Sequence, residues 1–164
     1  MLLNKQVSLA HARQCFSANN LVPALEVCNA LIRIDPEPKA FRLRANIYAV
    51  LGDSDASIKS ISTAIELSLE NKEPCDFFYR GRWHLIAGSC HCAINDSEQV
   101  ILLSAKYDDE YYLSTTYLHL AYCYASIMRV QEANNYLALL EPGEKTSINN
   151  EIIGFEQIQR MLKS

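Results

Sequence analysis

Cys90-His91-Cys92, with His84 six residues before the first thiol, is the stretch of this chain whose side chains could bind a metal at close spacing. Tetrahedral zinc sites draw on spacings such as Cys-x2-Cys, whereas a Cys-x-Cys pair on a helix or turn points its sulfurs apart. The cluster therefore reads as packed thiols, with no metal and no other cofactor expected. Asp108-Asp109-Glu110 gathers three carboxylates and reads as a helix start, where negative charge meets the positive end of the helix dipole. A Gly-rich phosphate loop, a nucleophile elbow and a paired-carboxylate spacing are all missing from the sequence, so an enzyme is not expected.

The elements that carry these residues are set by residue size. A spaced set of a ring or small residue, then a small residue at plus four, a ring or similar at plus seven, and Ala or Ser at plus sixteen recurs along the chain. It reads Ser8, Ala12, Cys15, Ala24; Phe41, Ala45, Tyr48, Ser57; Phe77, Gly81, His84, Ala93; and Tyr117, Ala121, Tyr124, Ala133. A period in the thirties built from two short amphipathic segments is the signature of stacked helical hairpins, in which each small residue admits a neighbouring helix. The hairpins are expected at about Lys5–Ser17 with Pro23–Ile34, Ala40–Leu51 with Asp55–Leu69, Asp76–Ala87 with His91–Ser104, and Asp109–Ile127 with Val130–Leu140. After Glu141-Pro142-Gly143, Ser147 is expected to cap a last helix carrying Ile148, Ile152, Phe155, Ile158 and Leu162 at helical spacing.

The pattern resembles the tetratricopeptide repeat, in the form of a small bacterial-type member. Phe77-Phe78-Tyr79-Arg80-Gly81-Arg82-Trp83-His84-Leu85-Ile86-Ala87-Gly88 followed by Ala93-Ile94 keeps most of the first-helix framework; Tyr48, Leu51-Gly52-Asp53 and Ala64 add to it in repeat two, and Ala24 and Pro36 in repeat one. Repeat one lacks its aromatic, repeat four has Met128 where Gly is usual, and the spacing drifts through 33, 36 and 40 residues. The resemblance implies an all-α, right-handed α-solenoid of about four hairpins in a single domain. Its repeats fall at about 5–37, 38–73, 74–113 and 114–145, with a capping helix at about 147–163 that covers the face a fifth repeat would cover.

The resemblance also implies that the first helix of each pair lines a concave groove. Position by position, that assigns partner contacts to Leu9, Arg13 and Phe16; to Lys39, Arg42 and Asn46; to Phe78, Tyr79 and Arg82; and to Leu118, His119 and Tyr122, with Arg13, Arg42, Asn46, Phe78, Tyr79, Arg82, Leu118, His119 and Tyr122 as the binding set. Arginine and rings dominate interface hot spots, while rings at helical spacing also fill cores. The clamp by which some family members hold the acidic tail of heat-shock chaperones is not matched, because its positions hold Leu9, Arg13, Leu43, Cys75 and Tyr79.

Composition agrees with an interaction protein. The chain has 164 residues, 49% hydrophobic content and a net charge of -4, enough to bury one core and poorly suited to nucleic acid. No apolar run reaches the ~18 residues that span a bilayer, and Asn4, Lys5, His11 and Arg13 break up the first residues, so a cytoplasmic address is expected. The six cysteines read as buried free thiols. The expected function is a non-catalytic protein-binding module, adaptor or dedicated chaperone that holds a peptide or helix of a partner, similar in size and acidity to translocator chaperones of type III secretion. The alternatives are an immunity protein that neutralises a toxin by direct binding, and a structural subunit of a larger assembly; a homodimer is compatible with each.

Overall fold

The computed structural model describes residues 8–148 and 151–163, so the expected helical residues before Ser8 lie outside the described part. The helices are α1 (Leu9–Ser17), α2 (Leu21–Ile34), α3 (Pro38–Val50), α4 (Ser54–Leu67), α5 (Pro74–Ile86), α6 (Cys90–Tyr107), α7 (Leu113–Ser126), α8 (Val130–Leu137) and α9 (Phe155–Met161), with strands β1 (Lys145–Ile148) and β2 (Glu151–Gly154) before the last helix. Two compact units divide the chain at the end of the second repeat: residues 1–72 hold α1 to α4, and residues 73–164 hold the rest.

The four tight turns inside the hairpins share one chemistry. Asn19, Gly52, Gly88 and Met128 each take a left-handed backbone, with φ of 58°, 79°, 73° and 62°. The following amide reaches back five residues in each case: Asn20 to the Cys15 carbonyl at 2.9 Å, Asp53 to Tyr48 at 2.9 Å, Ser89 to His84 at 2.8 Å and Arg129 to Tyr124 at 2.8 Å. This is the Schellman arrangement, which satisfies carbonyls that a helix end leaves without partners. Its acceptors are the plus-seven members of the size pattern, so the same residue that fills a gap between helices also fixes where its helix stops. The next helix then starts at once; Asp53 caps α4 by accepting the Ala56 amide at 2.9 Å.

Packing follows the small residues. Ala12, Ala45, Gly81 and Ala121 on the first helices are buried, as are Ala24, Ser57, Ala93 and Ala133 on the second. A Cβ at Gly81 would come within 3.1 Å of the Asp96 Cβ and 3.6 Å of the Ala93 carbonyl, so even a methyl group here would require Asp96 to give way by a few tenths of an ångström. Where a serine replaces alanine, at Ser57, its hydroxyl donates to the Ala45 carbonyl at 2.9 Å and the crossing becomes a hydrogen bond. In the last repeat Tyr117 and Tyr124 both stack on Tyr136 of α8, with ring centres 6.0 and 5.8 Å apart.

Two expectations need correction. Asp108-Asp109-Glu110 does not open a helix: Asp108 ends α6 in the left-handed conformation (φ 54°), and α7 starts at Leu113 with no acid in its first turn. Asparagine and aspartate tolerate that backbone because their short polar side chains bond locally. The expected helix from Ser147 is a β-hairpin followed by the shorter α9, paired antiparallel with Thr146 opposite Ile153 and Ser147 opposite Ile152. Ile148 and Ile153 are buried on one face while Ile152 is 66% exposed beside exposed Ser147, which is the alternation of a strand. Three β-branched isoleucines and Thr146 within eight residues favour that choice over a helix. Ile148, Ile153 and Ile158 of this C-terminal segment join Leu118, Leu120 and Ala121 in the core of the second unit.

Met128 holds a left-handed backbone with a side chain that is 78% exposed and adds little packing. That conformation costs a non-glycine residue about 1–2 kcal/mol, partly offset by the ~0.4–1 kcal/mol of unfolded-chain entropy that glycine adds. Met128→Gly is therefore expected to raise stability by roughly 0.5–1 kcal/mol in chemical denaturation, and a variant less stable than the parent would contradict the strain.

Candidate functional site

In the first unit the expected contact residues are dispersed. Arg13 and Asn46 are exposed, while Arg42 of α3 donates from Nη2 to Ser68 Oγ at 3.1 Å and so bonds within its own hairpin. Leu9 lines a cleft of about 240 Å3 with Leu31, Asp35, Glu37 and Ala40.

In the second unit the expected residues divide three ways. Phe78 and Tyr79 of α5 meet Tyr112, just before α7, and His119 of α7: Phe78 lies 4.6 Å from Tyr112, 5.5 Å from Tyr79 and 5.5 Å from His119 between ring centres, and Tyr79 lies 6.4 Å from Tyr112. Tyr111 stands edge-on to Tyr112 at 4.8 Å. Arg82 is diverted, donating from Nη2 to the Ser147 carbonyl of β1 at 3.2 Å. Tyr122 lines a separate cleft of about 590 Å3 with Leu85, Cys90, His91 and Cys92 among others.

Leu118 and His119 are corrected outright as partner contacts. Their exposures are 1% and 2%: Leu118 belongs to the core that Ile148, Ile153 and Ile158 complete, and His119 lies against Phe78 of α5, so neither has surface to offer. His119 serves as a core ring, stacked on Phe78 at 19° between planes, with Nε2 lacking a hydrogen-bond partner among the described residues. Burial, helped by the Arg82 charge, lowers its pKa to about 4. Within the cluster Tyr79 is 38% exposed and Tyr111 is 83% exposed, so the rings run from the core out to solvent. Burial first, and then neighbours led by Tyr79, raise the Tyr112 phenol, which stays protonated.

An ion pair inside the α5–α6 hairpin, beside Phe77 and Gly81, lay outside the expectations from sequence. Arg80 donates from Nε to both Asp96 oxygens at 3.1 and 2.9 Å and from Nη2 to Oδ1 at 2.6 Å, while its guanidinium lies 5.4 Å from the Phe77 ring centre. The same device recurs one repeat earlier: Arg44 lies 4.9 Å from the Phe41 ring centre and donates to Ser60 at 3.1 Å and Asn29 at 3.2 Å. The signal was legible as arginine three places after Phe41 and Phe77. His84 points at Asp96, 3.9 Å away, with its pKa lowered chiefly by burial, so it stands apart from the thiols. Cys92 is exposed, and Cys90 packs against a core that includes Cys123, whose pKa burial raises. Among the described residues no three potential ligands converge as a metal site would need, and no helix is long and apolar enough to cross a membrane.

Charge divides between the units. Residues 73–164 carry twelve Asp and Glu against seven Lys and Arg, whereas residues 1–72 carry seven against eight. The acidity of the chain therefore belongs to the unit that holds the rings.

Paired antiparallel helices, small residues at their crossings and left-handed turns between them define a tetratricopeptide-type all-helical fold, with the two-stranded hairpin as an addition near its end. Solved structures share it: the chain is similar to YrrB, described as a tetratricopeptide protein with an unusual peptide-binding site, at a TM-score of 0.69 and 16% identity over 79% of this chain. It is also similar to MamA (TM-score 0.67, 14% identity, 94% of this chain and 76% of that one) and to TTC0263 of Thermus thermophilus (0.56, 18%, 80% and 69%). The chain spans 63% of the YrrB chain. No protein-family model matches the sequence, and no curated protein does either.

The His119 environment gives a test by pH. A folded pKa of about 4 lies below the ordinary histidine value of 6.5, so the stabilisation is whole above pH 6.5 and is lost as pH falls towards 4. At about 1.4 kcal/mol per unit the loss is roughly 2–3 kcal/mol. His119→Phe keeps a ring against Phe78, and its stability between pH 7 and 4.5 is expected to fall less than the parent's by about that amount in denaturant titrations; equal slopes would place the titrating group elsewhere.

Proposed function

We propose that this chain is a non-catalytic protein-interaction module, and that its contact surface lies on the second unit around Phe78, Tyr79, Tyr111 and Tyr112. The observation that carries the reading is the continuous ring cluster, anchored on buried His119 and opening to solvent at Tyr79 and Tyr111. Tyrosine joins large contact area to a polar end and loses little entropy on ordering, which suits it to hot spots. A partner of the kind a dedicated chaperone or adaptor holds, presenting an extended or helical segment, would lay side chains against these rings. YrrB, which shares the fold, is described as having a peptide-binding site, and this supports the peptide-holding reading. Six free cysteines fit work in a reducing compartment such as the cytoplasm.

The immunity reading is favoured by one observation, the concentration of negative charge in residues 73–164. An acidic surface steers a cationic protein into contact and speeds its capture.

The test is affinity capture with the full chain, followed by titration of the retained protein against variants. Tyr79→Ala is expected to weaken binding by about 5- to 30-fold with the melting temperature within error of the parent, as hot-spot truncations do. Unchanged affinity in Tyr79→Ala and in Tyr111→Ala would move the contact surface off the rings.

A further inference from the structure

The loop that carries Tyr111 and Tyr112 also carries Asp108, Asp109 and Glu110, so three carboxylates stand next in sequence to the outer rings of the cluster. Asp109 spends one oxygen on the Tyr111 amide at 3.0 Å, which ties the loop into a turn. Asp108 and Glu110 are exposed, and among the described residues neither has a cationic partner. Four cations of this unit are engaged elsewhere: Arg80 with Asp96, Arg82 with the Ser147 carbonyl, Lys106 over the Tyr107 ring, and Arg129 with Glu132. Tyr111 therefore offers a ring that is 83% exposed, with its neighbours in the turn supplying charge of one sign.

Aromatic faces attract ammonium and guanidinium groups through the ring quadrupole, and adjacent carboxylates add direct charge attraction. An acidic segment would meet repulsion from Asp108 and Glu110, with only the neutral tyrosine hydroxyls to donate in return. We infer that this platform takes a lysine- or arginine-bearing extended segment of a partner protein, its cationic heads lying on Tyr111 and Tyr79 and against the carboxylates of Asp108 and Glu110. The inference rests on the interaction reading above and adds the charge of the partner.

The test uses the full chain and two labelled nonapeptides in fluorescence anisotropy, one alternating lysine with alanine and the other glutamate with alanine. The lysine peptide is expected to bind saturably and more weakly as salt rises. Tyr111→Ala is expected to weaken it about fivefold, while Tyr111→Phe, which keeps the ring face, binds like the parent. The Asp108→Asn, Glu110→Gln double variant should lose about fivefold or more, and all variants should melt with the parent. Preference for the glutamate peptide overturns the inference. Lysine-peptide binding that Tyr111→Ala leaves intact also overturns it, since that result is diffuse attraction to an acidic protein. Self-association of the chain that Tyr111→Ala abolishes gives the platform to a second copy and refutes a basic segment. The two proposals fail separately: a captured partner that depends on Tyr79 yet still binds after its lysines and arginines are chemically blocked sinks the charge assignment alone, whereas one indifferent to the rings sinks the interaction surface.

Discussion

Two helices can pack at close range only where the side chains between them are nearly absent, and every hairpin of this chain is built on that constraint. At Gly81 the geometry is at its tightest, since a single methyl group would meet Asp96 at 3.1 Å. Elsewhere alanine faces alanine, and at Ser57 the contact is near enough for a hydroxyl to bond the opposite backbone at 2.9 Å. Close approach brings large neighbours into contact on either side of the crossing, which is how interiors reach the packing density of organic crystals. The left-handed turn is then forced, because two helices this close can be joined only by a few residues that reverse the chain sharply. Asn19, Gly52, Gly88 and Met128 are the positions where that reversal falls.

A second interaction depends on the first. With Gly81 holding α5 against α6, Asp96 is drawn to 3% exposure, and an isolated carboxylate there would be costly. Arg80 resolves this with a two-pronged bond and lays its flat guanidinium along Phe77, so charge, hydrogen bonding and ring contact are satisfied together. One repeat earlier the counterpart of Asp96 is Ser60, and Arg44 completes its bonds with Asn29 of α2 instead. The repeat thus keeps the arginine and the ring, and varies the acceptor. Such a pair adds less net stability than its short contacts suggest, because desolvation offsets much of the attraction.

The hairpin core was legible in the sequence because steric demands are periodic and local: a small residue every repeat is visible without knowing what it touches. What escaped was decided by contacts between distant segments. Ile148, Ile152, Phe155 and Ile158 fit a helical stripe, yet β1 and β2 pair and send Ile152 outward, since the α7 surface accepts Ile148 and Ile153 from one face of a hairpin. Residue spacings of four satisfy a helix and, taken in pairs, also a strand, so the pattern alone could not separate them. Leu118 and His119 share that cause. They hold the places that would face a groove, but Leu118 shares a core with the C-terminal isoleucines and His119 stacks on Phe78 of α5, so both are buried. Arg82, expected at a partner contact, donates to the carbonyl of Ser147, a peptide group of the chain itself. The ring cluster was half visible through Phe78 and Tyr79, whereas Tyr111 and Tyr112 were hidden inside what read as the start of a helix.

The misread turn is also where the surface becomes specific. If residues 109–112 had continued α7 towards its N-terminus, their side chains would be spread round a helix at roughly 100° intervals. Ending α6 at Asp108 in the left-handed conformation, and tying the Tyr111 amide to Asp109, instead sets Tyr111 and Tyr112 edge to face. Tyr112 is braced by Phe78 at 4.6 Å, and Phe78 in turn by buried His119, so the outer ring rests on a rigid stack. A ring held in this way has little freedom left to lose when a partner arrives, and that saving appears as affinity. Helix packing common to the fold accounts for the stack, and the departure from it at the α6–α7 turn accounts for what the stack presents to solvent.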